Sequence, residues 1–417
     1  MFSRRKLLSD SLLLLAAKVG GIGVQLVTTI FLARSLALEA MGLYALFYTA
    51  IGISRAAGPL GIDQASTRLI AMAEAGNHTR VSHISLAGSG LTLLMGLTLG
   101  GAIWACSEFS GLLNAYSPTE MIIFSVGIPV FMGIGLLLGQ IRGMGHNLLA
   151  QAPDALGLHV LLLIQILFLR ADGALTLTSA MASLAIAGWA VFIFQCIVRL
   201  NLGKLFLGLP SKHTIRELIT EGLRIFQAHF LTVATTNLPV FFAAALAGPA
   251  AVAIFEIARR FGNLFSVLTS SIGATYSPSF AKFSQSGETQ RLKRLILDAG
   301  MLAGGAAFIY AVLIALLGKH VIGIFFPQSY LAAVQPMVII AVATAINATF
   351  SSVSTCYLMS GRSHIVRNFT LAAFGIVCLI SWWLGPVFGA TGISIAIILS
   401  RLTRDGGIAY HFWKRSR

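Results

Sequence analysis

The sequence predicts an all-α integral membrane protein, with about 12 transmembrane helices arranged as two six-helix bundles. Composition, the spacing of apolar runs and the placement of basic residues predict it. Hydrophobic residues fill 57% of the 417 positions and charged residues only 10%, with a mean hydropathy of +0.86. Soluble domains are far more polar than this. A bilayer crossing needs about 20 mostly apolar residues. Twelve such runs occur, at 11–33, 41–61, 84–106, 121–141, 153–169, 175–198, 218–246, 251–273, 296–317, 335–358, 369–386 and 389–410.

The first run follows Arg4, Arg5 and Lys6 and begins like a signal peptide. Its apolar character continues through Phe31 and eleven further runs follow, so it reads as the first anchor. The second run holds Arg55, followed by Pro59, which removes a helix bond near that arginine. In the fourth, Gly135, Gly139 and Gly143 form a ladder of small residues suited to close helix packing. The polar stretch from Arg199 to Glu217 then divides the chain into lobes 1–210 and 211–417, with six runs each. The seventh run carries Glu221, Arg224 and His229, the eighth Glu256, Arg259 and Arg260, and the last Arg401, Arg404 and Asp405.

Alternate loops hold nineteen Lys and Arg on the side of the N-terminus and three, Arg34, Arg170 and Lys319, on the other. The positive-inside rule therefore places both termini in the cytoplasm. The net charge of +15 is largely this topology signal, with an attraction to anionic lipid heads, and it is not a sign of nucleic-acid binding. Cys106, Cys196, Cys356 and Cys378 fall in or beside apolar runs, without metal-ligand spacing. No cofactor or metal is expected.

Shifting the first half by 211 positions lays residues 36–46 on 247–257 and sets Gly76 on Gly287 and Arg80 on Arg291. Further on the offset drifts to 216. An even number of runs per half makes these parallel repeats, whose substrate sites commonly lie near mid-membrane.

Seven cations fall inside apolar runs: Lys18, Arg55, Arg224, Arg259, Arg260, Arg401 and Arg404. A cation at the centre of a membrane helix costs about 2.5 to 3.5 kcal/mol, so these must mostly face protein, water or the membrane surface. Lys18 lies too deep to snorkel fully. Arg55 faces a cavity, or else bonds Asp63 or a lipid phosphate. Arg224 pairs with Glu221 near the inner surface, and Arg404 is close enough to reach that surface. Arg401 and Asp405 are four apart, which suits an intrahelical pair. Glu256 stands three and four positions before Arg259 and Arg260, as a salt-bridge partner or a protonatable coupling group. Glu256 and Asp405 are the ion-coupling candidates. His229 reads as a packing residue or a proton relay.

The runs FLARSLALEAMGLYALFYTAIG, and PAAVAIFEIARRFG through SPSFAKFSQSGE, resemble oligosaccharide flippases of the MOP superfamily, which includes O-antigen and lipid II flippases and, more remotely, MATE antiporters. The resemblance implies two bundles around a central cavity that opens alternately to either side. It also implies cavity roles for Lys18, Arg55 and Arg260. Gln25 and Arg259 depart from the lipid II flippase pattern, which has a base and an acid at those two positions.

Several cations in a low-dielectric cavity favour phosphate or acidic sugar over cationic drugs. The expected substrate is a polyprenyl-diphosphate-linked oligosaccharide, bound by Lys18, Arg55, Arg260, Arg259 and Arg401. The expected partners are membrane lipids, H+ or Na+, and other polysaccharide-assembly membrane proteins. A MATE-type antiporter and a polyprenyl-linked polysaccharide polymerase are the alternatives. The outer loops, 107–120 and 318–334, are short for the latter, and no nucleotide-binding loop or nucleophile triad occurs, so the chain reads as a transporter and not an enzyme.

Overall fold

The computed structural model describes residues 4–73, 78–106, 114–202, 210–266 and 288–415, with 272, 275–277, 279–280, 282–283 and 286 between the last two. The described residues are helical apart from short links. They form two compact units, Met1–Val233 and Ala234–Arg417. The boundary falls inside a helix, beyond the expected linker at 210.

Unit 1 begins with α1 (Arg4–Ser35) and α2 (Leu38–Ala57). α2 ends sooner than the apolar run because Gly58 to Gly61 make a turn in which Leu60 and Gly61 take positive φ, 48° and 78°. The turn leads into α3 (Ile62–Ala73) and α4 (His78–Cys106). α5 (Pro118–Gly143) starts from a capping box in which Ser117 and Glu120 satisfy each other's backbone N–H. In the link before it, the Tyr116 hydroxyl donates to the Leu43 carbonyl at 2.8 Å. Burial pushes that phenol well above the usual tyrosine range, so it stays a donor.

α5 is the hub of the unit, packing on α2, α3, α4 and α8. After α6 (Asn147–Ala152) the helix widens into a π-turn, Pro153–Gly157, and continues as α7 (Leu158–Ala171). α8 (Leu177–Leu202) follows, then α9 (Lys212–Gly262). The first turns of α9 belong to unit 1, where Leu218 joins a core with Ile62, Leu69, Ile84 and Leu136. Gly61 abuts the Gly222 carbonyl so closely that a Cβ would overlap it, which, with its positive φ, makes glycine the fitting residue there.

α9 breaks at Gly248, whose φ of 80° interrupts the helix before Pro249 restarts it. The restart lies 211 positions after the start of α2. Unit 2 continues with α10 (Thr289–Phe325), a 3-10 turn, and α11 (Val334–Met359). Gly300 and Gly304 let α10 approach Thr349 of α11. α12 (Ser363–Arg401) breaks at Gly389, then widens into a second π-turn, Leu402–Gly406, before α13 (Gly407–Arg415).

Among the described residues, nine helical stretches are long and apolar enough to cross a membrane. Two of them contain the breaks at Gly248 and Gly389 and so hold two helices each. With α2, whose 20 residues span about 30 Å, the helices reach the twelve expected. The eighth expected run, 251–273, is described as helix to Gly262, and its end lies partly outside the described residues. Large exposed side chains such as Leu94, Phe168, Phe308, Leu379, Trp382 and Trp383 form the apolar exterior that a bilayer covers.

Candidate functional site

In unit 1 the site is built on α5. Gly135, Gly139 and Gly143 lie against the carbonyls of Arg55, Asp63 and Thr67, leaving no room for a Cβ. The ladder therefore clamps the end of α2 and the start of α3, as its spacing suggests. Held this way, Arg55 donates Nη1 to Oδ1 of Asp154 at 2.5 Å. Among the described residues its partner is thus Asp154 and not Asp63. Asp154 sits in the π-turn with its side chain 8% exposed, and Arg55 remains 34% exposed. Gly21 of α1 packs directly on the Ala155 carbonyl of the same turn. Lys18, one turn earlier on α1, is exposed and makes no ion pair among the described residues. Gln25 donates to the Tyr48 hydroxyl at 2.5 Å.

In unit 2 the eighth run delivers what its spacing predicts. Glu256 is buried and accepts from Arg259 Nε at 2.8 Å and from Arg260 Nε at 3.1 Å. Two guanidiniums share one carboxylate, so the group carries net positive charge.

The last run differs from expectation. Arg401 and Asp405 do not form the i,i+4 pair. Residues 402–406 are a π-turn, and the wider turn shifts the register that would stack them. Arg401 instead donates Nη1 to Thr344 Oγ1 at 2.8 Å and Nη2 to Asn263 Oδ1 at 2.9 Å. Asp405, fully buried, accepts from Arg404 Nε at 2.8 Å and from Asn347 Nδ2 at 2.9 Å. Arg404 is therefore turned toward Asp405, with its side chain 28% exposed.

These residues enclose a cavity of about 180 Å³ within unit 2. Its wall includes Arg259, Arg401 and Arg404, the hydroxyls of Thr235, Thr236 and Ser400, and the amides of Asn263 and Asn347. Among the described residues no carboxylate lines it. Glu256 and Asp405 instead bond the guanidiniums of Arg259 and Arg404. Arg401 has only neutral hydrogen-bond acceptors, and the nearby Asp405 acts on its charge without bonding to it. A chamber of this kind can hold an anionic group: three guanidiniums supply charge and forked donors, and hydroxyls and amides supply further donors.

Of the expected site residues, the structure gathers Arg259 and Arg401 in one chamber and adds Arg404, Asn263 and Asn347. Arg260 joins through Glu256 without lining that chamber. Lys18 and Arg55 belong to unit 1. Arg224 pairs with Glu221 at 3.4 Å, as its spacing suggests, and stays exposed. The side chain of His229 lies outside the described residues. Sequence reasoning missed Asp154, although a carboxylate after Pro153 in an apolar run was a visible signal.

Residues 7–284 match the model of a family described as polysaccharide biosynthesis protein. Among solved structures, the chain is similar to an inward-facing multidrug resistance MATE family transporter of the MOP superfamily. The TM-score is 0.79 at 14% identity, over 94% of each chain. It is equally similar to the lipid II flippase MurJ in an inward closed conformation, with a TM-score of 0.79 at 12% identity, covering 96% of this chain and 87% of that one. A MOP superfamily transporter from Pyrococcus furiosus gives a TM-score of 0.66 at 16% identity, covering 97% and 94%. At these identities the likeness shows a shared fold. No curated protein matches the sequence.

Proposed function

We propose, since this chain belongs to the polysaccharide biosynthesis protein family, that it is a flippase carrying a polyprenyl-diphosphate-linked oligosaccharide across the bacterial inner membrane. The observation that carries this reading is the unit 2 chamber, with three guanidiniums and, among the described residues, no carboxylate in its wall. In a low-dielectric interior such a wall attracts phosphate or acidic sugar and repels cationic drugs. The substrate's lipid tail stays in the bilayer while its charged head meets these groups. The excess of Lys and Arg on the N-terminal side supports cytoplasmic termini and loading from the inner leaflet.

Coupling to an ion gradient fits the same geometry. An anionic head competes with Glu256 and Asp405 for Arg259 and Arg404, and a displaced carboxylate becomes free to bind H+ or Na+. Transport that continues undiminished after both gradients are collapsed would count against this coupling.

The reading is tested by complementation in a cell lacking its own flippase. R401Q and R55A, accumulating at wild-type levels, are expected to abolish surface polysaccharide. Full complementation by both would remove the basis for an anion-binding role. The rival reading, a MATE-type cation antiporter, has the shared fold in its favour but not the polarity of the chamber.

A further inference from the structure

Unit 1 contains a buried cation that the sequence places in a solvated inner stretch. Arg199 lies in the last turns of α8 and is only 5% exposed. Its Nη2 donates to Ser85 Oγ of α4 at 2.7 Å. Nε and Nη1 are enclosed and meet no acceptor. Arg199 takes part in none of the ion pairs among the described residues.

The surroundings are polar. Ser85, itself buried, accepts at its carbonyl from Gln140 Nε2 of α5 at 3.2 Å. One turn along α4, a Cβ on Gly88 would stand 3.3 Å from Ser66 Oγ of α3 and 3.5 Å from Gln140 Nε2. Ser66 is fully buried and its hydroxyl has no partner. Gln195, one turn earlier on α8, donates Nε2 to the Ala150 carbonyl at 3.1 Å, and its Oε1 finds no donor. The contact of α8 with α4 thus buries one full positive charge with two unmatched N–H groups.

We propose that Arg199, held by Ser85, forms a buried site inside unit 1 for a small monovalent inorganic anion of chloride size. A water molecule would satisfy one N–H but leave the charge uncompensated, and a buried charge without a counter-charge is strongly unfavourable. A lipid phosphate is excluded because Nε and Nη1 are enclosed, whereas a head-group stays at the bilayer surface. The site is separate from Arg55 and from the unit 2 chamber, so its occupant neutralises the α4–α8 contact and is not transported cargo.

The full chain, purified in detergent, tests this by thermal melting at constant ionic strength as sodium chloride is replaced by sodium gluconate, whose anion is too large for the site. The expected result is a saturable rise in Tm with chloride, reproduced by bromide and absent in R199Q. S85A keeps the guanidinium but loses its partner, and should raise the half-saturating chloride concentration about tenfold. Bromide-soaked crystals should show an anomalous peak at an open N–H edge of Arg199. Identical melting of the wild type in chloride and gluconate overturns the proposal, and so does water without bromide at Arg199. If R199Q fails to accumulate, the S85A titration and the bromide peak decide.

Discussion

Arg401 Nη2 stands 2.9 Å from Oδ1 of Asn263, 138 positions earlier in the chain. With Thr344 on its other nitrogen, the guanidinium is fixed in direction by two neutral acceptors. The guanidinium lines the chamber with no carboxylate hydrogen-bonded to it. Substituting N263A should leave the guanidinium charge in place but release its orientation. Hydrogen bonds to charged groups are worth enough that affinity for a polyprenyl-diphosphate oligosaccharide should fall roughly tenfold or more. Equilibrium binding to the purified variant checks this, and unchanged affinity would show that Asn263 does not position the arginine.

Removing Asp154 should be felt through Arg55. D154N strips the charge from a nearly buried carboxylate and is expected to lower stability by about 1–3 kcal/mol. The partner is part exposed, and solvent moderates the loss. In a double-mutant cycle, D154N with R55Q should cost less than the two single changes combined. Denaturant unfolding in detergent measures the coupling, and strict additivity would mean the pair contributes nothing.

The glycines of α1 and α5 make a steric prediction. G139V would drive a side chain into the Asp63 carbonyl, and G21V one into the Ala155 carbonyl, whereas Gly23 has nothing within 4 Å of its Cβ position. G139V and G21V should each destabilise by about 1–3 kcal/mol or more, while G23V should melt with the wild type. Equal melting temperatures for all three would refute the close approach.

Glu256 anchors two arginines, so E256Q should act first on stability. A fully buried carboxylate removed from two guanidiniums is expected to cost about 3–5 kcal/mol, lowering Tm more than R224A does. Arg224 pairs with Glu221 at an exposed position, where such pairs contribute about 0–1 kcal/mol. Should E256Q melt normally and lose only gradient-driven transport, Glu256 would be a coupling group with no structural role.

Much of this architecture was legible in the sequence, because each membrane crossing demands a long apolar run and each broken helix kept its glycine. The Gly135 ladder and the Glu256–Arg259–Arg260 spacing were legible for the same reason: both are local patterns along one helix. The partners of Arg55 and Arg401 were not, since Asp154, Asn263 and Thr344 lie far away in the chain. The two π-turns also escaped notice. The second shifts the register that made Arg401 and Asp405 look like a pair, and the first holds Asp154 where Arg55 can reach it. Arg199 counted as an inner-loop charge because composition around it turns polar there, yet the fold buries it.

The central claim is that the chamber walled by Arg259, Arg401 and Arg404 accepts the anionic head of a lipid-linked oligosaccharide. Native mass spectrometry of the purified protein, offered a polyprenyl-diphosphate oligosaccharide together with a cationic drug, tests it most directly. The account predicts that the lipid-linked sugar is retained, that the drug is not, and that R401Q loses the sugar. Retention of the drug alone would contradict it.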